Sequence, residues 1–600
     1  MTAFASITAI DVRRIRASSA MWQSSAQEAS AGQSVWHGLK EIFSTPVKSV
    51  ESFINARENF KNFFQEQSQK LGMSVPPRHQ DRLLKQGAEL MQQILEGSLN
   101  QVMDAAILRG DGKIGEPVLR QALSRAHERA QLALMELESN ALRTRMADVP
   151  VFDLRPQIVV SQQQSIQLIR PAPRIENLVL RGGGAKGIGT APALMELENA
   201  GFLKELKTVV GTSVGALVAL SMASGQRPEE IARVADQLDM AELKDKPQNF
   251  EARYPGVNVD WRVGFHTGRA LELLDQISAG SVSSYLEKNW NSRGFRKKLR
   301  ELGETNGPGA LARLDTLRQQ DFETDRTGQM ITFADLALLQ GLDPARFKAL
   351  VLTAWDDTRK RMDYFSVVNA PDMPIAVAGR ISMSLPVIFK SVTYDPGDGQ
   401  GARTFVDGGV GSNMPTEVIT DGLSGNALAE ARSRTAVMTF DDNGGAYAAM
   451  HQPPRERNGL RDWIMSLITG NPSYGRSSMD DKAKVAAAGP NAFVVFHGDI
   501  ETLDLGASKE QVEKAKLMST LKTLEQIEQR QGQACAVECR SVGECFAMLT
   551  RTEKEALREG GAPSPLDYPK READLAYRLQ RQLYELSLPG WRPAPISMLV

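Results

Sequence analysis

Residues 178–187, LVLRGGGAKG, and residues 208–215, TVVGTSVG, decide how this 600-residue chain is read. In the first, an apolar run of the kind that forms a buried strand enters three consecutive glycines and then a helical pattern, IGTAPALMELENAG, ended by Gly201. Glycines permit sharp turns there and leave amide N–H groups bare at a helix start, where they attract a phosphate or the oxyanion of an ester under attack. Gly182, Gly184 and Gly187 also satisfy the dinucleotide fingerprint G-x-G-x-x-G. The second segment decides between the two. A dinucleotide site needs an acidic residue near the end of the next strand to hold the ribose hydroxyls, and residues 208–210 run straight into Gly211-Thr212-Ser213-Val214-Gly215 with none. That pattern is G-x-S-x-G, a nucleophile elbow, in which Gly211 and Gly215 let a strained strand-to-helix turn expose the Ser213 hydroxyl. The apolar segment ALVALSMASG that follows aims a helix N-terminus at the serine.

A serine hydroxyl needs a base to become a useful nucleophile. Of the six histidines, His37, His79 and His127 fall in a helical N-terminal region and His451 in a polar loop. His497 ends a strand, where a structural histidine is expected, and His266 stays open by position. Asp407, in TFVDGGVGSNMP, is the better candidate: a strand end, an aspartate, Gly408 and Gly409 make a tightly turning exposed corner. An unperturbed aspartate has a pKa of about 3.9, so burial beside the serine has to raise it. Lys186, in the first turn after the glycines, reads equally as positive potential for a phosphate head group and as a solvated charge.

The rest of the chain sets the frame. Short apolar strand candidates, NLVL, TVVG, ALVLTAW, TAVMTF and AFVVFHG, alternate with helical patterns from about residue 175 to 500. That alternation predicts a three-layer α/β/α domain with a mainly parallel sheet. Residues 1–150 read as a helical region, 151–505 as the catalytic domain with a leading hairpin at QIVV and SIQLI, and 506–600 as helical again. Residues near 245–330 interrupt the alternation and read as a lid-like insertion or a plain solvated one. An aromatic stripe, Val47, Val50, Phe53, Ile54, Phe60, Phe63 and Phe64, suits a core-facing helix, or else a membrane or chaperone surface. With 71 basic against 72 acidic side chains, nothing suggests nucleic acid. No apolar run approaches a membrane span, and the basic residues near the start follow the apolar run rather than precede it, so no Sec-type signal is expected. The three cysteines, Cys535, Cys539 and Cys545, exclude a disulfide scaffold, and no metal or cofactor is expected.

GGGAKG, GTSVG and DGG, in this order and with these separations, resemble the patatin-like phospholipase family. ITFADL, ALVLTAWDDTRKRMDYFS, ISMSLPVIFKSV, and Asn413 and Pro415 after the DGG agree with it. The resemblance implies a Ser-Asp dyad, Ser213 and Asp407, with an oxyanion hole in the glycine loop, Gly182, Gly183 and Gly184. It implies a lipid acyl hydrolase of phospholipase A type that acts on a phospholipid membrane surface. Residues 157–187 are similar to the ExoU-type subgroup of secreted bacterial effectors. That likeness implies a toxin held in the bacterial cytoplasm before export without a Sec signal, a secretion chaperone, and a ubiquitin-like host activator. The alternatives are a non-toxin patatin-like esterase or lysophospholipase, and a catalytically idle lipid- or nucleotide-binding module.

Overall fold

In the helix over Pro77–Ile94, apolar residues three and four apart form a stripe that is buried. The computed structural model describes residues 50–100, 116–148, 156–160, 165–171, 175–237, 242–259, 264–386, 388–441, 476–498, 500, 506–531, 534–549 and 551–589. Helices α1 (Val50–Met73), α2 (Pro77–Ile94) and α3 (Glu116–Asp148) come first. Pro77 starts α2, where a missing N–H costs nothing. Leu83, Gly87, Met91 and Ile94 form its buried stripe, and Leu83 shares a core with Val75, Leu137 and Ala141. Of the aromatic stripe, Phe64 is fully buried; Val47 and the side chains of its other members lie outside the described residues, as do His37 and His451.

The hairpin β1 (Gln157–Val160) and β2 (Ile166–Pro171) is antiparallel, with Ile158 opposite Leu168. Its outer partner comes from the far end of the chain, β12 (Ala534–Cys539), which pairs antiparallel to β2. Ile158 and Leu168 share a core with Cys539, Val542, Cys545, Leu557 and Leu583. This corrects the expected domain boundaries: the hairpin groups with the C-terminal region, in a unit of Met1–Pro173 with Leu524–Val600, and the second unit is Arg174–Thr523. Alternation in QIVV and SIQLI reveals strands, but a two-stranded hairpin does not name its third strand. Cys539 and Cys545 are buried and form no disulfide. A hydrogen bond with Cys539 and burial push the Cys545 thiol above its usual range.

The second unit is built on a nine-stranded sheet, counted among the described residues. Its parallel part runs in the order β11 (Ala492–Val495), β10 (Thr435–Phe440), β3 (Asn177–Leu180), β4 (Thr208–Gly211) and β6 (Ala349–Asp356). The remaining strands, β5 (Asn258–Val259), β7 (Arg361–Phe365), β8 (Val392–Tyr394) and β9 (Arg403–Asp407), pair antiparallel. The sheet is therefore mixed, mainly parallel where the apolar strands were expected. Val179, Val210 and Val437 face one side, against Met414, Val418 and Val485. Leu178, Leu180 and Val209 alternate to the other side and are equally buried, so both faces are covered, as a three-layer fold requires.

Five helices of this unit matter for the site: α4 (Thr190–Asn199), α5 (Val214–Ala223), α6 (Pro228–Gln237), α7 (Gly268–Asn289) and α8 (Ile375–Ser382). α5 is apolar all round and buried, which its lack of a polar face demands. α7 lies within the segment near 245–330 and is packed into the unit. Leu271, Leu274, Asp275 and Val282 are fully buried, Asp275 is held by a buried Arg326 at 2.7 Å, and Leu274 packs on Gly379 of α8. Burying an ion pair this deeply needs a fixed surrounding, which a solvated insertion does not offer.

Candidate active site

Register brings the two glycine-flanked corners together. Gly211 at the end of β4 lies opposite Leu352 of β6, and Asp407 at the end of β9 lies opposite Ala354. β4 is parallel to β6 and β9 antiparallel, so the chains arrive from opposite directions on either side of Thr353. Thr353 pins them: its hydroxyl bonds Thr212 Oγ1 at 2.8 Å, and a Cβ on Gly408 would overlap it. Both threonines are fully buried.

Ser213 sits between β4 and α5 with φ 55° and ψ −125°. A non-glycine residue in that conformation costs on the order of 1–3 kcal/mol and persists only when its surroundings fix it. The flanking glycines supply part of that restraint. A Cβ on Gly215 would overlap the Leu180 carbonyl oxygen, and one on Gly211 the Gly215 carbonyl oxygen. These are backbone atoms of packed elements that cannot swing aside. Gly215→Ala is therefore expected to destabilise by about 2 kcal/mol or more. A lower urea midpoint at unchanged slope would register it.

Asp407 is 2% exposed. Its Oδ1 accepts the Gly409 N–H at 2.7 Å, while the Ser213 hydroxyl is its side-chain neighbour. Burial pushes its pKa up to about 6, against the lowering effect of the Ser213 hydroxyl and the Gly409 amide. The expected rise is thus present, and its cause is desolvation of the carboxylate. Lys484, on a helix spanning Arg476–Ala488, bonds Ser412 Oγ at 3.0 Å, the Met414 carbonyl at 2.9 Å and Glu417 at 2.7 Å, bracing the chain just after this turn.

The glycine loop divides its labour. Gly182 is held reciprocally by Asn413: its N–H donates to the Asn413 carbonyl at 3.2 Å, and its carbonyl accepts Asn413 Nδ2 at 3.1 Å. Its amide is thus spent, which corrects its expected place among the oxyanion donors. A run of three glycines does not say which amide the loop itself consumes. The amides of Gly183 and Gly184 meet no acceptor among the described residues. Gly184 takes a left-handed φ of 57°. Gly183 has extended backbone and is needed because a Cβ would strike the Phe440 ring; Gly187 is needed for the same reason against Val214. Lys186 is 8% exposed and lines the site, so it is no solvated charge.

Ser213, Asp407 and Gly182–Gly184 open into one cavity of about 910 Å³, whose further walls are mainly apolar: Ile188, Leu217, Val218, Ile277, Met383 and Phe389. That shape suits a long hydrocarbon chain with a polar junction at its floor. His266 and His497 do not line it. His266 lies edge-on to Phe250 at 4.9 Å, with its pKa lowered to about 4 by burial and by Arg380. His497 Nε2 bonds the Asp441 carbonyl at 2.8 Å. Thr353, Phe440 and Ser382 were missed by sequence reasoning; Ser382 lies in the small-residue run ISMSLP, the one available signal. Among the described residues no grouping of acidic, histidine or cysteine side chains could hold a metal ion. No described helix is long and apolar enough to cross a membrane.

Known proteins resemble this chain as follows. The YqhO protein of Bacillus subtilis is 30% identical over 241 residues, 40% of this chain and 64% of that protein, so the chain spans less than two thirds of this relative's length. VipD from Legionella pneumophila is 18% identical, covering 72% of this chain and 88% of that one, with a TM-score of 0.40. ExoU from the type III secretion system of Pseudomonas aeruginosa, solved in complex with SpcU, is 16% identical, covering 73% of this chain and 72% of that one, also at 0.40. Residues 178–419 match the family model for patatin-like phospholipase. That segment begins on the strand before the glycine loop and includes Ser213, Ser382 and Asp407, so the likeness to the patatin-like phospholipase family lies over the part of the chain that holds the site.

Proposed function

We propose that this chain hydrolyses the acyl ester of glycerophospholipids, as a phospholipase A, with Ser213 as nucleophile and Asp407 as its base. One observation carries the reading: a buried carboxylate, its pKa raised to about 6, stands beside the strained Ser213 at an apolar cavity. A base poised near the working pH is both ionised enough to accept a proton and basic enough to take it.

Asp407 removes the proton from Ser213 Oγ as that oxygen attacks the ester carbonyl. The oxyanion is held by the amides of Gly183 and Gly184; one such donor is worth about 2.7–4 kcal/mol where measured. Collapse of the intermediate breaks the ester bond, and Asp407 returns the proton to the leaving lysophospholipid alkoxide. Water then gives its proton to Asp407 and attacks the acyl-serine, which frees the fatty acid and restores both side chains. Lys186 faces the head-group phosphate, which its near-complete burial in the cavity wall supports.

We propose further that the chain is a secreted effector that acts on target-cell membranes, with a chaperone before export and a ubiquitin-like activator after it. The likeness of residues 157–187 to the ExoU-type subgroup supports this. Purified protein assayed on a panel of phospholipid vesicles is expected to release fatty acid and lysophospholipid in equal amounts, slowly alone and much faster with ubiquitin or a eukaryotic extract. Full activity without either would restrict the proposal to the hydrolase itself. Absence of fatty acid under every condition would contradict the hydrolase.

A further inference from the structure

Both proposed reacting residues hang on one turn that the mechanism above does not use. Helix α8 ends in Arg380-Ile381-Ser382, followed by Met383 and Ser384. The Ser213 N–H donates to Ser382 Oγ at 3.0 Å, and the Asp407 N–H donates to the Ser384 carbonyl at 2.9 Å. Ser382 and Ser384 are fully buried. Arg380, 1% exposed, locks the turn: its guanidinium donates to the carbonyls of Thr267, His266 and Lys390 at 3.0, 2.8 and 3.1 Å and to Ser384 Oγ at 2.5 Å. Gly379, one residue earlier, lets Leu274 and Leu220 close on the helix. The turn is thus fixed from three sides.

We infer that Ser382 is a positioning residue for Ser213, its hydroxyl holding the nucleophile's amide so that the strained elbow keeps Oγ turned toward Asp407. The inference rests on the proposed hydrolase reading and adds a residue to it. A backbone at φ 55° relaxes toward commoner conformations unless something restrains it. The glycines around the elbow exclude the wrong neighbours, whereas Ser382 supplies an attractive restraint on Ser213 itself. The same bond spends the Ser213 amide. The Ser213 amide is thus removed from the oxyanion donors, while the amides of Gly183 and Gly184 stay open.

The test uses the full chain and two readouts: the second-order rate of labelling by a fluorophosphonate probe, and kcat and KM on a soluble acyl ester. Misplacing a nucleophile by about 1 Å costs on the order of 100-fold, so Ser382→Ala is expected to slow labelling and kcat by about 10- to 100-fold with KM within about twofold. Its melting temperature should fall by no more than about 4 °C, the scale of one hydrogen bond in a domain this large. Ser382→Thr, which keeps the acceptor, should recover most of the rate. Ser382→Cys, nearly isosteric but a weak acceptor, replaces the alanine variant should that one not fold. A folded alanine or cysteine variant that labels like wild type overturns the inference while the hydrolase reading stands. A folded threonine variant as slow as alanine, or a loss of kcat that only follows a loss of folded protein, overturns it as well. A wild-type chain that neither labels nor hydrolyses overturns both.

Discussion

Ser213→Ala is expected to lower fatty-acid release by about 10⁴-fold or more, as removal of a nucleophile does in other serine hydrolases, and to leave the fold intact. The change deletes one oxygen that faces a cavity and fills no packed volume. Alanine inherits the same positive φ, so the elbow is neither relieved nor further strained. Equal melting curves for the two proteins, measured beside the assay, separate lost chemistry from lost structure. A variant that still hydrolyses like wild type would sink the acyl-hydrolase account.

Asp407→Asn is expected to have two effects of opposite sign. Asparagine keeps the shape and can still accept the Gly409 N–H, but it takes no proton, so kcat should fall by about 10³-fold, the scale of general-base catalysis. Stability should move the other way. The Asp407 pKa is raised from 3.8 to about 6 on folding. The folded state therefore binds the extra proton, and this favourable contribution is complete below pH 3.8 and lost as pH rises through about 6. Above pH 6 the wild type holds a buried, desolvated charge that the asparagine variant lacks. At pH 8 the variant should be more stable by on the order of 2–3 kcal/mol, and the gap should close near pH 4. Urea unfolding at the two pH values reads this directly. The same group predicts that wild-type kcat/KM climbs through a midpoint near pH 6 to a plateau. A wild-type profile flat from pH 5 to 8 would contradict Asp407 as the base.

Much of the site was legible because its chemistry is local. The strands NLVL, TVVG and TAVMTF announce themselves by apolar runs buried on both faces. G-x-S-x-G and DGG mark corners where a Cβ has no room, which glycine alone records in a sequence. What stayed hidden depends on distance along the chain. That β12 completes the hairpin's sheet is a pairing of residues 534–539 with 166–171, and alternation carries no information about partners so far apart. Thr353 sits within an ordinary apolar strand, and only the opposed arrival of β4 and β9 makes it a pin. Gly182 looks like its two neighbours until Asn413 is found to take its amide. The insertion near 245–330 reads as polar and interrupted because its charges are spent internally, as Arg326 on Asp275 and Arg253 on Glu272. Ion pairs buried by tertiary contacts look in sequence like a solvated loop.

The central claim is that the ester's acyl group passes through a covalent bond to Ser213. Turnover of a phospholipid bearing one defined acyl chain, quenched in acid within the first turnovers and digested for peptide mass mapping, tests it most directly. The predicted result is a mass increase equal to that acyl group on the peptide containing Ser213, present in wild type and absent in Ser213→Ala. Fatty acid released with the acyl group on another residue, or steady turnover by the Ser213→Ala protein, would contradict the account.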